Sequence, residues 1–337
     1  MGSQRLRSVL TLAALGAVMA NAQPGPGPGR RPPGEGKQRP DEFRDLPQPV
    51  RKLLQSVGRL TYSGQRVVEF KLDGERYRNI ELLVVDRLRS RVEFGTDSSW
   101  AGQIIVESPK GRQHYFPQAN EIRILPPMRD ESVLRLRGML TDRSGRIRIS
   151  FGQGGVVAGR QTTAVTAADP QGNVLQKLWI DNEFGLALKR EIFDPVGSRI
   201  GYYEFSKINF RPNIQESDFV IRRAGAKVVT QYDMVRKLAK KEGFVAAWIP
   251  ASTGAELVNV RTSPMQGTKA LMQAYEYDGR RVSLFQLRGN VDPRRIEKLG
   301  GGRLNVYRWT ASNLTFVIVS DLPTETLTKL ARTVVTE

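Results

Sequence analysis

Val157-Ala158-Gly159-Arg160, Leu178-Trp179-Ile180-Asp181 and Gly185-Leu186-Ala187-Leu188-Lys189-Arg190-Glu191 decide the fold of this chain. Successive side chains of a strand point to opposite faces, which sets Leu178 and Ile180 on one side and Trp179 on the other. The three blocks read as successive antiparallel strands at the centre of a meander. Asn182-Glu183-Phe184-Gly185 turns the chain between the last two.

The same period of two extends outward, from Leu60 to about Ile221. Tyr62–Leu72, Asn79–Val85, Arg89–Phe94, Gln103–Glu107, Arg112–Phe116 and Glu121–Leu125 are candidate strands on one side of the blocks. Val156–Ala167, Val174–Asp181, Leu186–Phe193 and Ile200–Phe210 continue the pattern around and beyond them. Tight-turn residues punctuate the gaps, as in Leu72-Asp73-Gly74 and Asp194-Pro195-Val196-Gly197. Short strands joined this way form an antiparallel meander, not βαβ units. Asp130–Leu140 breaks the pattern with Val133, Leu136 and Leu140 on one helical face, and reads as an inserted helix. A short helix over 47–57 precedes the meander, with Val50, Leu53, Leu54 and Val57 on one face and Gly58 as its stop.

A second domain is expected from residue 229 to 337. Its first helix carries Tyr232, Val235, Leu238 and Ala239. Two hairpins follow, one turning at Asp278-Gly279 and one joining Leu304–Thr310 to Leu314–Ser320. A helix starting at Asp292-Pro293 lies between them, and a last helix begins at Pro323.

The amino terminus reads as a cleavable export signal over residues 1–22. Arg5 and Arg7 precede the apolar run Val9–Met19, and Ala20-Asn21-Ala22 supplies small residues for cleavage after Ala22. Residues 23–44 are a Pro/Gly-rich tether with too little apolar surface to offset the entropy of ordering it. No internal run reaches the roughly 18 apolar residues that span a bilayer, so the exported chain is not expected to be membrane-spanning. The chain has no cysteine, which excludes disulfides and an amino-terminal lipid anchor.

The 337 residues carry a formal charge of +18, and losing the leader with Arg5 and Arg7 leaves +16. Such charge suits nucleic acid, an anionic membrane surface, lipopolysaccharide or an acidic protein. Export argues against nucleic acid. Arginines such as Arg87, Arg89 and Arg91 also read as an ordinary solvated sheet face.

Enzymatic parts are scarce. His114 is the one histidine, and no thiol nucleophile, zinc-binding histidine pair or Gly-x-Ser-x-Gly elbow exists. His114 reads as a surface or hydrogen-bonded residue of a strand. Gly152-Gln153-Gly154-Gly155 lacks the Lys-Ser/Thr of a phosphate loop and reads as a turn or flexible lip. The chain is therefore read as a non-enzyme without metal or cofactor. A long sheet covered by so little helix tends to leave an apolar concavity. Phe70, Phe94, Met139 and Trp179 are the large residues expected along it, with ordinary core as the competing role for each.

Further blocks extend the pattern: Leu60-Thr61-Tyr62-Ser63-Gly64, Tyr77-Arg78, Val92-Glu93-Phe94, Tyr115-Phe116, Glu242-Gly243-Phe244, Tyr277–Phe285, Gly302–Tyr307 and Val317–Pro323. In their order along residues 45–335 they resemble the MucB/RseB family of periplasmic sigma-factor regulators, with Glu242 where that family has a proline. The resemblance implies an α+β fold. Residues 45–225 would form a strongly curved antiparallel sheet, a half-barrel like the lipoprotein carriers LolA and LolB, packed on helices. A smaller α+β domain would follow. It also implies a periplasmic regulator that binds the periplasmic part of a membrane anti-sigma factor and senses lipid, lipoprotein or lipopolysaccharide in an apolar cavity. A lipid or lipoprotein carrier without a signalling role, and a polyanion-binding envelope protein, are the alternatives.

Overall fold

The structure, a computed structural model, describes residues 46–337 apart from 73, 128–137, 139–144, 266–267 and 290–303. The elements begin with α1 (Gln48–Ser56), β1 (Thr61–Leu72), β2 (Glu75–Asp86), β3 (Arg89–Phe94), β4 (Ile104–Ser108), β5 (Gly111–Phe116) and β6 (Glu121–Leu125). β7 (Arg148–Val157), β8 (Arg160–Ala168), β9 (Val174–Asp181), β10 (Ala187–Phe193), β11 (Arg199–Asn209) and β12 (Lys227–Val229) follow. The remainder is α2 (Gln231–Glu242), β13 (Ala247–Trp248), β14 (Glu256–Met265), β15 (Thr268–Tyr277), β16 (Arg280–Arg288), β17 (Asn305–Ala311), β18 (Leu314–Ser320), α3 (Thr324–Arg332) and β19 (Val335–Thr336). The protein is mostly sheet with few helices.

Two compact units divide the chain. One holds the residues up to Pro109 and Pro127–Arg222; the other holds Lys110–Pro126 and Arg223–Glu337. In the first unit the strands lie in the order β4-β3-β2-β1-β11-β10-β9-β8-β7, antiparallel throughout. Three strands separate β7 from β11, which in a flat sheet would place them about 19 Å apart at the usual interstrand spacing. They nevertheless touch, and Val157 of β7 shares a buried cluster with Phe205 of β11. The sheet is therefore open but curved. Register shifts at Gln65/Arg66, Ala187/Lys189, Ile192/Phe193 and Gln153/Gly155 supply local bends of the kind that produce such curvature.

Register also defines the faces. Val68, Tyr203, Arg190, Leu178 and Val165 are successive cross-strand partners, so they share one side of the sheet from β1 to β8. Helix α1 begins with a proline in its first turn and buries Val50 and Leu53 against Val165, Leu178 and Ile180 on this side. Trp179 is on the opposite side of β9 from Leu178 and Ile180.

The second unit contains an antiparallel sheet ordered β14-β15-β16-β18-β17. Helices α2 and α3 bury Val235, Leu238, Leu327 and Leu330 in the same cluster as Tyr275, Leu284 and Ile318 of that sheet. Helix α2 starts at a capping box between Thr230 and Asp233 and stops at Gly243, whose φ is 67°. The β5–β6 hairpin joins this unit because β12 pairs parallel to β6 and Lys237 of α2 reaches Glu121.

Two local readings are corrected. Val157-Ala158-Gly159-Arg160 is a hairpin turn and not a strand: Ala158 and Gly159 take φ of 49° and 76°, as a two-residue turn between β7 and β8 requires. Gly152–Gly155 is no turn or lip but the middle of β7, where the extra residue is accommodated as a bulge. The expected helices at 130–140 and after Asp292, together with Met139, lie outside the described residues.

Candidate functional site

The aromatic centre of the first unit is assembled by a connection. Residues 95–103 pass from β3 to β4 and fold over the end of β2. There the Ser98 hydroxyl accepts from Ile80 N at 2.8 Å and donates to Ile80 O at 3.0 Å. The Ser99 hydroxyl accepts from Arg78 N and donates to Arg78 O, both at 3.1 Å. These bonds serve β2 backbone groups beyond the reach of the shorter β3, as buried polar groups demand. They also fix Trp100, whose backbone N–H donates to Asn79 Oδ1 at 3.2 Å.

Trp100 then enters the buried cluster. Its ring centroid lies 5.6 Å from Phe70, 6.4 Å from Tyr77 and 5.3 Å from Phe94, the last edge-on, and Phe70 stacks on Tyr77 at 5.1 Å. Such offset and edge-to-face contacts stabilise aromatic pairs beyond simple burial. Phe70 and Phe94, expected from the sequence, are thus brought together. Trp179 is partly buried at the margin of the same cluster, and its ring carries Lys189 Nζ at 4.8 Å.

Beside the aromatics, Arg66 and Glu81 form a buried ion pair, with Nε and Nη2 donating to Glu81 Oε2 at 2.7 and 2.6 Å. The guanidinium also faces Tyr203 at 5.2 Å and Phe205 at 5.9 Å. Burial pushes the Glu81 carboxyl above its ordinary range, against the pull of Arg66. Glu81 Oε1 and Asn79 Nδ2 are buried with no hydrogen-bond partner. They sit two residues apart on β2, on the Phe70 side of the sheet by register. One accepts and one donates, so together they could satisfy a polar group carrying both functions. Sequence reading missed Trp100, Asn79, Arg66 and Glu81. Their signal was weak: Trp100 is an aromatic in a polar connection, and Arg66 shares the parity of Val68 and Phe70.

The opening blocks meet at a second constellation. Arg160 donates to Asp181 through Nε at 2.5 Å and to Glu183 through Nη2 at 2.7 Å. Its guanidinium lies 5.1 Å from both Phe184 and Phe210, which stack at 4.0 Å. Asp181 Oδ1 accepts from the backbone N–H groups of Glu183 and Phe184, shaping the turn. Lys52 of α1 donates to the carbonyls of Asn182 and Glu183. This constellation pins helix and turn.

Other expectations find their places. Arg89 pairs with Asp86 and Glu216 and covers Phe219, while Arg91 pairs with Glu93 and donates to the carbonyls of Asp218 and Val220. They clasp the 216–220 segment instead of forming a plain solvated face. His114 is buried, stacks on Phe116 at 4.1 Å, and is pressed down to about 3 by burial and then by Arg112 and Arg123. It is neutral near pH 7. Among the described residues no group of three or more His, Cys, Asp or Glu could hold a metal, and no helix is long and apolar enough to cross a membrane.

Neither a family model nor a curated protein sequence matches the chain. Among solved structures it is similar to MucB in complex with MucA(peri), with 17% identity, TM-score 0.40, and coverage of 86% of this chain and 98% of that one. The MucA/MucB complex of Pseudomonas aeruginosa gives 19% identity, TM-score 0.38, and coverage of 86% and 98%. A LolA superfamily protein from Nitrosomonas europaea gives 10% identity, TM-score 0.25, and coverage of 51% and 96%.

Proposed function

We propose that this protein is an exported, periplasmic regulator of an envelope-stress sigma-factor pathway. In this reading it binds the periplasmic part of a membrane anti-sigma factor and responds to lipid or lipoprotein taken up by the apolar side of its first unit. The observation that carries it is the ordered series of MucB/RseB-like blocks in both units, from Leu60–Gly64 to Val317–Pro323. A plain carrier has no need of the second series. The buried Phe70-Tyr77-Phe94-Trp100 cluster, next to the unsatisfied Glu81 Oε1 and Asn79 Nδ2, supports the ligand-sensing half. An acyl chain would replace the Trp100 ring among the aromatics, and a polar headgroup would meet the two orphan atoms.

The deciding experiment immobilises the purified mature protein and passes envelope extract over it, with and without added lipopolysaccharide. The regulator reading expects retention of a single-span anti-sigma factor and its release by the lipid. Failure to retain one, from cells in or out of stress, overturns it.

The carrier alternative rests on the same aromatic cluster. It expects acyl lipid to co-purify in native mass spectrometry while no anti-sigma factor is retained.

A further inference from the structure

β7 is the terminal strand of the first unit's sheet, bonded on one side to β8 and, among the described residues, to no strand on the other. It is ten residues long, contains neither lysine nor proline, and has Arg148 as its one charge. Edge strands are normally blunted by such residues, because their free N–H and C=O groups template pairing with another chain. A Cβ added at Gly152 or Gly155 would meet nothing within 4 Å, so there is space over the sheet at those positions, while the Val157 end of the strand packs against β11.

Side chains along this edge are exposed and apolar. Phe151 is 40% and Val156 61% accessible. Their partners on β8, Val165 and Gln161, are four residues apart, so the bulge at Gln153/Gly155 brings Phe151 and Val156 onto the same side. Charge is basic at the start of the strand: Arg146 and Arg148 stand there, residues 145–168 hold no Asp or Glu, and the chain's net charge is +18, whereas Arg160 beyond the turn is already held by Asp181 and Glu183.

We propose that β7 docks an extended acidic peptide segment by strand addition, with the segment's apolar side chains over Phe151 and Val156 and its carboxylates towards Arg148 at the start of the strand. Backbone pairing supplies affinity in this mode and alternate side chains supply selectivity. The inference rests on the regulator reading in one respect: the segment belongs to the periplasmic part of the bound anti-sigma factor.

The test uses the full mature protein and a dye-labelled ten-residue peptide alternating glutamate and valine, alongside a lysine–valine version and a glutamate–valine version N-methylated at alternate residues. Strand addition expects binding of the first peptide alone, with slowed amide exchange along β7. F151E and V156E should each weaken it by roughly tenfold or more, as for a central interface residue. Circular dichroism and the thermal midpoint check that both variants fold, and the N-methylated peptide keeps the test independent of them. Equal binding of methylated and unmethylated peptides, no binding, or self-association of the protein through β7 each overturns the inference. An anti-sigma periplasmic domain that binds wild type and both variants equally sinks strand addition and leaves the regulator reading standing. A domain that binds neither, with peptide binding intact, does the reverse.

Discussion

Arg160 donates two hydrogen bonds to the carboxylate of Asp181, a side chain with no solvent exposure, and so ties the β7–β8 hairpin to the end of β9. The blocks Val157–Arg160 and Leu178–Asp181 thus form one object: a cation from the hairpin closes over the carboxylate that organises the next turn. Removing Asp181 leaves Arg160 with Glu183 alone and strips the Glu183 and Phe184 N–H groups of their acceptor, at a cost of about 1–3 kcal/mol for a buried polar group left unsatisfied. Asp181→Ala should lose stability on that scale in urea unfolding. Asp181→Asn should lose less, since it keeps an acceptor for the Glu183 and Phe184 N–H groups.

Gly185 ends the same turn with φ of 75°, and a Cβ there would lie 2.6 Å from the backbone of Lys52 and Leu53. Gly185→Ala should therefore destabilise by well over the roughly 1 kcal/mol of a left-handed residue alone, and loosen α1. Gly74→Ala is the control: its φ is 86°, but nothing lies within 4 Å of the new Cβ. Slowed or unchanged amide exchange in α1 for Gly185→Ala would contradict the packing argument.

Trp100→Ala removes the centre of the aromatic cluster. The expected loss is about 3–5 kcal/mol, the usual cost of deleting a large buried aromatic. The cavity left between Phe70 and Phe94 should also bind a fluorescent fatty acid more tightly than wild type does, measured by titration at a pH where both proteins are folded. Weaker binding would mean that Trp100 contacts the ligand instead of occupying its place.

Glu81→Gln should destabilise by about 3–5 kcal/mol, because Arg66 remains buried with its charge opposed by a neutral amide. The double variant Arg66→Met with Glu81→Leu should recover most of that loss. A double variant as unstable as the single one would show that the pair contributes more than mutual neutralisation.

His114 makes stability pH-dependent in a defined window. Its folded pKa, about 3, lies below the ordinary histidine value of 6.5, so the folded state favours the neutral ring. The associated stability is complete above pH 6.5 and declines as acidification protonates the unfolded chain, by about 1.4 kcal/mol per pH unit. Between pH 6.5 and 5 the loss should reach about 2 kcal/mol in urea titrations, and His114→Phe should flatten it.

Much of the first sheet was legible because burial on a pleated surface imposes period two. The strand pair Val174–Asp181 and Leu186–Phe193 was expected within a residue of β9 and β10. Phe70 and Phe94 were visible for the same reason, as large residues at inward parity. What the pattern obscured was local backbone geometry. Val157-Ala158-Gly159-Arg160 looks extended by composition, yet it turns, because Gly159 and its neighbour accept positive φ and the twist of two antiparallel strands favours that turn. The glycines at 152–155 mislead in the opposite sense: they lie inside a paired edge strand, where Gly155 takes a φ of 71° at a bulge that leaves Gly154 out of the register with β8.

By itself the sequence determined the antiparallel sheet, a helix over 47–57, the absence of thiol chemistry and the ordered family-like blocks, since each depends on residue type and local spacing. Tertiary structure alone decided that Trp100 completes the Phe70–Phe94 cluster, that Arg66 is buried against Glu81, and that residues 110–126 group with residues 223–337. These are pairings between segments far apart in the chain. Their energy comes from removing specific groups from water together, and no local pattern encodes which distant partner will be there.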